Sequence, residues 1–144
     1  MLRLLADNFV LLYKARHLSW RVNGDVGTGL RAIIRQDHRD LDDAADDLAL
    51  RIISLGRDLP PSYPDLVGSS SIKQELAQRK AADMIGQLID DHDQILRDID
   101  TLEVTMPIGN DEKTIGLLEQ LKHCHDRCRV SLQGLIRPKG SGLQ

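Results

Sequence analysis

Aromatic side chains are scarce in this chain: among 144 residues there are one Phe, one Trp and two Tyr. A core must therefore be built mostly from Leu, Ile, Val and Ala. Cysteine is nearly absent as well. Cys124 and Cys128 lie four apart in a polar segment, and helical residues at that spacing rarely have bridging geometry, so a reducing, cytoplasmic compartment is the simpler expectation. No apolar run approaches the roughly 20 residues of a membrane span. The opening Met1 to Asp7 carries a charge where a signal peptide would be apolar and shows no small-residue cleavage site, so a soluble, intracellular protein without a leader is expected. There is no basic excess either: 19 Lys and Arg stand against 22 Asp and Glu, a net charge of −3. That excludes a domain dominated by a phosphate-binding surface. Strand signals, internal repeats and a glycine-rich loop after a strand are missing. Ser69, Ser70 and Ser71 have no histidine and acid placed around them by spacing, which gives nucleophilic catalysis little support.

What is present is helical periodicity. Leu5, Phe9, Leu12 and Tyr13 recur at three and four and predict an amphipathic helix from Leu2 to Val22. The glycines at 24, 27 and 29 predict a loop, with a second helix from Thr28 or Gly29 to Leu55 and Gly56 as its stop. Pro60, Pro61 and Pro64 exclude regular helix from Asp58 to Pro64, giving a long crossover that continues through Gly68 to Ser71. A third helix is predicted from Arg79 or Ala81 to Thr105, closed by Pro107 to Asn110. A fourth follows from Asp111 to Ile136, its acidic start suited to the helix dipole. Four helices joined short, long, short describe an all-α, ferritin-like four-helix bundle over residues 1–136, with its crossover between the second and third helices and a flexible tail over 137–144.

Two motifs carry more information. The first is Leu4-Leu5-Ala6-Asp7-Asn8-Phe9 followed by Ser19-Trp20-Arg21-Val22-Asn23-Gly24; the second is Asp46-Asp47-Leu48-Ala49-Leu50-Arg51-Ile52-Ile53-Ser54-Leu55-Gly56. In order and separation they resemble the Dps proteins, the mini-ferritins also called DNA-binding proteins from starved cells. Weaker similarities continue at Ser70-Ser71-Ile72, Asp91-His92 and His125-Asp126-Arg127. The resemblance implies a dodecameric shell built from dimers, serving iron storage and stress protection. It also implies a ferroxidase site shared between two subunits. The family's ligand pattern falls here on Ser19, Arg31, Arg35, Asp46 and Leu50, and Asp46 alone keeps a ligand. Guanidinium is always protonated and has no acceptor lone pair, so two arginines repel the cation they would have to hold. Oxidation at that location is expected to be weak or absent.

Arg31 and Arg35 lie one turn apart, and in a Dps-like dimer their face would meet Asp46 of the other subunit. An arginine–carboxylate bridge in place of the metal site is the resulting expectation, against the plainer reading of solvated surface charge. His38, Asp42 and Asp46 follow at successive i, i+4 positions and form a candidate metal-binding face, able to nucleate iron without a ferroxidase centre. His123, Cys124, His125 and Cys128 form another cluster, but His123 and His125 project about 160° apart on a helix, so the set needs His92 or a symmetry mate to make a metal site, and packing residues are the simpler reading. For DNA, Arg137 and Lys139 offer two charges per subunit, with avidity as the route to useful binding. The alternative to an iron-handling shell is a structural or binding helical bundle that handles no metal, as a partner subunit of an active paralogue.

Overall fold

A computed structural model describes residues 1–76, 80–106 and 111–137. Five helices follow one another: α1 (Leu2–Arg21), α2 (Gly24–Ser54), α3 (Tyr63–Val67), α4 (Ala81–Thr105) and α5 (Glu112–Ile136). The four long ones form the expected all-α bundle. α1 packs on α2 and α4, and α5 packs on the same two. Arg51 near the end of α2 is bonded to Asp111 at the start of α5, at 2.6 Å, so α2 and α5 run antiparallel. α4 and α5 also run antiparallel, with Lys122 bridging to Glu103 at 3.1 Å and Arg129 to Asp93 at 3.1 Å. α2 and α4 are therefore parallel, the geometry that a single long crossover produces.

The predicted glycine loop is not a loop. α1 and α2 are separated by Val22 and Asn23 alone, and α2 runs through Gly24, Gly27 and Gly29. Each glycine has a conformational or packing reason that outweighs its weak helix propensity. Gly24 takes a left-handed φ of +73° to start the helix, a Cβ at Gly27 would strike the Val22 carbonyl oxygen, and one at Gly29 would meet the Leu135 side chain of α5. The 31-residue α2 spans ~46 Å at 1.5 Å per residue. It ends as predicted, with Gly56 at φ +82°. There the Gly56 amide donates to Ile53 O and the Arg57 amide to Ile52 O, a Schellman motif.

The proline-rich crossover also departs from expectation, since Tyr63 and Pro64 begin α3. Ser62 caps it by accepting from the Asp65 amide at 3.2 Å, and Pro64 sits in the first turn, where a missing N–H costs nothing. Phe9 meets Tyr63 edge to face at 6.2 Å. Beyond α3, the crossover is held by Asp7, which is fully buried on α1 and accepts from Ser70 Oγ at 2.6 Å and the Ser71 amide at 2.6 Å. Ser71 Oγ lies 2.9 Å from both Asp7 Oδ2 and Asp98 Oδ2, with one proton to share between them. α4 begins at Ala81, within the predicted choice; Arg79, and the segment Pro107 to Asn110 expected to close α4, lie outside the described residues, as does most of the predicted tail.

Leu11, Leu18, Leu30, Leu41, Leu48, Ile85, Leu88, Ile95, Ile99, Leu118 and Leu121 are fully buried, and His92 is buried with them. Tyr13, expected on the apolar face of α1, stands 55% exposed, because the buried stripe of α1 runs instead through Leu4, Leu11 and Leu18.

Alanine favours a helix over glycine by about 1 kcal/mol, while crowding a fixed backbone oxygen costs ~1–3 kcal/mol. Gly27→Ala should therefore lower the thermal midpoint read by circular dichroism. Gly29→Ala meets the movable end of Leu135 and should change it far less; equal effects would show that Val22 does not constrain the turn.

Candidate functional site

The side chains at the predicted site divide between two ends of α2. At the first end, Ser19 is buried and its hydroxyl donates back to Arg16 O at 2.6 Å, so it is engaged inside α1. The last carbonyls of α1 have no intrahelical partner. Arg31 supplies one: its Nη1 donates to Ser19 O at 3.0 Å and reaches Val22 O at 3.4 Å. A cation there also complements the negative end of the helix dipole. Arg31 thus closes α1 in its own subunit, which the sequence reading did not anticipate. Arg35 and Arg39, four and eight residues further on, are exposed, and among the described residues Arg35 has no hydrogen bond or ion pair.

The other end carries Asp42, Asp46 and Leu50, all exposed. Arg31 and Asp46 are 15 positions apart on one helix, ~22 Å, so a single subunit does not unite them. His38 does not join Asp42 and Asp46. It is 4% exposed and turned into the bundle, where burial, and then the charge of Arg16, bring its pKa down to about 4. A step of four residues advances a helix face by about 40°, enough to carry the row from the core to solvent between His38 and Asp42. Among the described residues, no group of three or more His, Cys, Asp or Glu is placed to hold a metal ion.

The α5 cluster divides as its helical angles require, with His123 exposed and His125 buried. Cys124 and Cys128 are free thiols packed with Leu41. Burial raises both, Cys128 to about 12, so they remain protonated and poor ligands. Around them Arg127 pairs with Asp40 and lies 3.4 Å from Asp37. What the sequence reading missed is a meeting of histidines. His92 and His125 face one another with Nδ1 atoms 3.0 Å apart, and His38 is close enough to both to act on their charge. The signal was there in the apolar stripes Ile85, Leu88, His92, Ile95, Ile99 and Leu118, Leu121, His125, Cys128, Leu132. Arg137 stands exposed just after α5, and Lys139 lies outside the described residues.

With a crossover bundle of this shape in hand, residues 1–136 match the family described as the ferritin-like domain. The chain belongs to that family. It is similar to an uncharacterized low temperature-induced protein of Nostoc sp., 27% identical over 92% of this chain and 75% of the relative. Among solved structures it resembles Dps from Thermosynechococcus elongatus, with a TM-score of 0.84 and 22% identity over 98% of this chain and 89% of that one. It also resembles a dodecameric thioferritin from Bacteroides fragilis, with a TM-score of 0.82 and 12% identity over 94% of this chain and 80% of that one. These structural likenesses are in fold.

At the positions to which the Dps resemblance assigns iron ligands, the donor set does not fit iron. It consists of a hydroxyl already bonded to its own helix, one guanidinium closing α1, a second guanidinium, an isobutyl group and a single carboxylate. Because Arg31 bonds the end of α1 and Arg35 has no partner among the described residues, Arg31→Ala should cost about 1 kcal/mol of stability in urea unfolding, while Arg35→Ala should stay within about 0.5 kcal/mol. The reverse order would remove the capping role.

Proposed function

We propose that the protein is a Dps-like shell subunit that sequesters iron and protects against stress without a working ferroxidase centre of the family's kind. The observation that carries this reading is the charge order along one exposed face of α2. Arg31, Arg35, Arg39, Asp42, Asp46 and Leu50 follow at steps of four, four, three, four and four, all of them exposed. This stripe is self-complementary. Laid antiparallel against the same stripe of a second copy, it sets Arg35 opposite Asp46 and Arg39 opposite Asp42, twice each by the two-fold axis. The face that holds metal in the resembled family then holds salt bridges, and the interface outlives the chemistry.

Asp43 and Asp47, on the neighbouring exposed face, add a negative field that suits a hard cation as cargo. Similarity to a dodecameric thioferritin and to a Dps fold supports a closed shell as the form of storage. On this reading ferrous iron is attracted and contained, and its oxidation is left to solution oxidants or to a paralogue sharing the shell.

Ferrous oxidation by air or peroxide should therefore run at the protein-free rate, and Asp46→Ala should leave it unchanged. A rate well above the blank that collapses in Asp46→Ala would restore a functioning centre. Native mass is expected near twelve subunits with iron retained after gel filtration; a lone dimer retaining none would favour the non-metal binding bundle. Arg35→Asp and Asp46→Arg should each weaken association at least tenfold through like-charge contact, and combining them should restore it. Single variants that assemble like the parent would break the salt-bridge assignment.

A further inference from the structure

His38, His92 and His125 belong to α2, α4 and α5, and they are 4%, 1% and 1% exposed. Three ionisable rings thus lie inside a bundle whose core is mostly leucine and isoleucine. His92 and His125 meet Nδ1 to Nδ1 at 3.0 Å with their rings inclined at 59°. A hydrogen bond of that kind needs one N–H and one lone pair. Two imidazolium rings would present two donors and no acceptor, so the contact cannot survive protonation of both. His38 Nδ1 is buried with no hydrogen-bond partner.

The charges around the cluster offer no home for added protons. From α1, Lys14 is buried and paired with Asp91 of α4 at 2.5 Å, and Arg16 acts on His38. From α4, Asp93 is bound to Arg129 of α5, whose positive charge acts on His92 and which also pairs with Asp126. From α2, Asp37 lies against Arg127 of α5 at 3.4 Å, and Asp40 pairs with the same guanidinium. These five carboxylates share three cations, Lys14, Arg127 and Arg129. Among the described residues none accepts a hydrogen bond from any of the three rings, and Asn8 of α1, whose Oδ1 is also buried and unpartnered, donates to Leu41 O.

We propose that the His38, His92 and His125 layer is an acid-triggered release built into the bundle: protonation there separates α5 from α2 and α4 and opens the subunit as pH falls from neutral toward 5. In the unfolded chain these histidines titrate near ~6.5. Burial brings His38 to about 4 and His125 to about 3, and pushes His92 well below its ordinary range. The folded state therefore binds fewer protons than the unfolded one. The stability this confers is fully present above the unfolded value and is lost as pH falls below it toward the folded values. Each histidine reduces the folding equilibrium constant about tenfold per pH unit in that window, so three together reduce it about a thousandfold. Carboxylates in an unfolded chain titrate near ~4, below the pH 6.5 to 5 window in which the unfolded histidines take up protons.

The release is a property of the subunit alone; if the protein stores a cation in a shell, the same event discharges it. The test is urea unfolding of the full chain at fixed protein concentration between pH 7.5 and 5, with native mass followed in parallel. Wild type should take up close to three protons on unfolding in the acid part of that range. His92→Leu combined with His125→Leu removes the facing pair and should take up about one. An equal proton count in that variant would overturn the proposal, as would a wild-type urea midpoint that does not move between pH 7.5 and 5. Should the double variant not fold, histidine ring proton resonances of wild type decide. Three rings that stay neutral until the bundle unfolds support the release, and rings that titrate reversibly near 6.5 in the folded protein refute it.

Discussion

The close approach of α1 and α2 at their two-residue turn is the constraint from which the rest of the site follows. Val22 and Asn23 leave no slack, so the first turns of α2 pass directly beneath the end of α1. Gly27 is required because the Val22 carbonyl lies where a side chain would stand. One turn further on, Arg31 is the first residue long enough to reach back to the carbonyls of Ser19 and Val22. A donor at that place stabilises the turn through the same groups that a helix end otherwise leaves to water. A metal-binding imidazole at position 31 would have to surrender that closure.

Polar groups inside the bundle fix register more than they add stability. Lys14 and Asp91 tie α1 to α4 in a nearly buried pair, and burial raises the Asp91 carboxyl against the opposing pull of Lys14. Taking both charges out of water costs several kcal/mol before their attraction is counted, so the net gain of such a pair is small. Its effect is to penalise any other alignment, in which one charge would be buried alone. Asp7 acts in the same way on the crossover, and Arg51 with Asp111 and Thr114 on the far end of α2. There the Arg51 and Thr114 hydrogen bonds hold the Asp111 carboxyl well below its usual range, keeping the latch charged under mildly acidic conditions.

The bundle was legible in the sequence because its information is periodic. Leucine and isoleucine at steps of three and four name the helices, and Gly56 names an end. Local breakers misled at Gly24 to Gly29 and at Pro64 for one reason: a glycine or proline is judged by its effect on an isolated helix, whereas here a contact from another segment, or a place in the first turn, reverses the sign. Leu50 and Asp46 stand exposed on α2, a position that follows from that helix alone. The partner of Arg31 could not be read in the same way, because it is the backbone of α1, and backbone carbonyls leave no mark on sequence patterns.

Histidine shows most clearly why residue type is a poorer guide than helical position. His38 looked like a ligand when counted with Asp42 and Asp46 at intervals of four. The drift of those intervals around a helix of 3.6 residues per turn moves the same row from core to solvent. Counted instead with Leu41, Ala45 and Leu48, it is a member of the buried stripe, as His92 is among isoleucines and His125 among leucines. A neutral imidazole is tolerated there because its ring packs like a small aromatic and one nitrogen of the pair can satisfy the other. Leucine would do the packing better and carry no risk of charge. The interior therefore trades stability for a response to protons in the layer where α2, α4 and α5 meet.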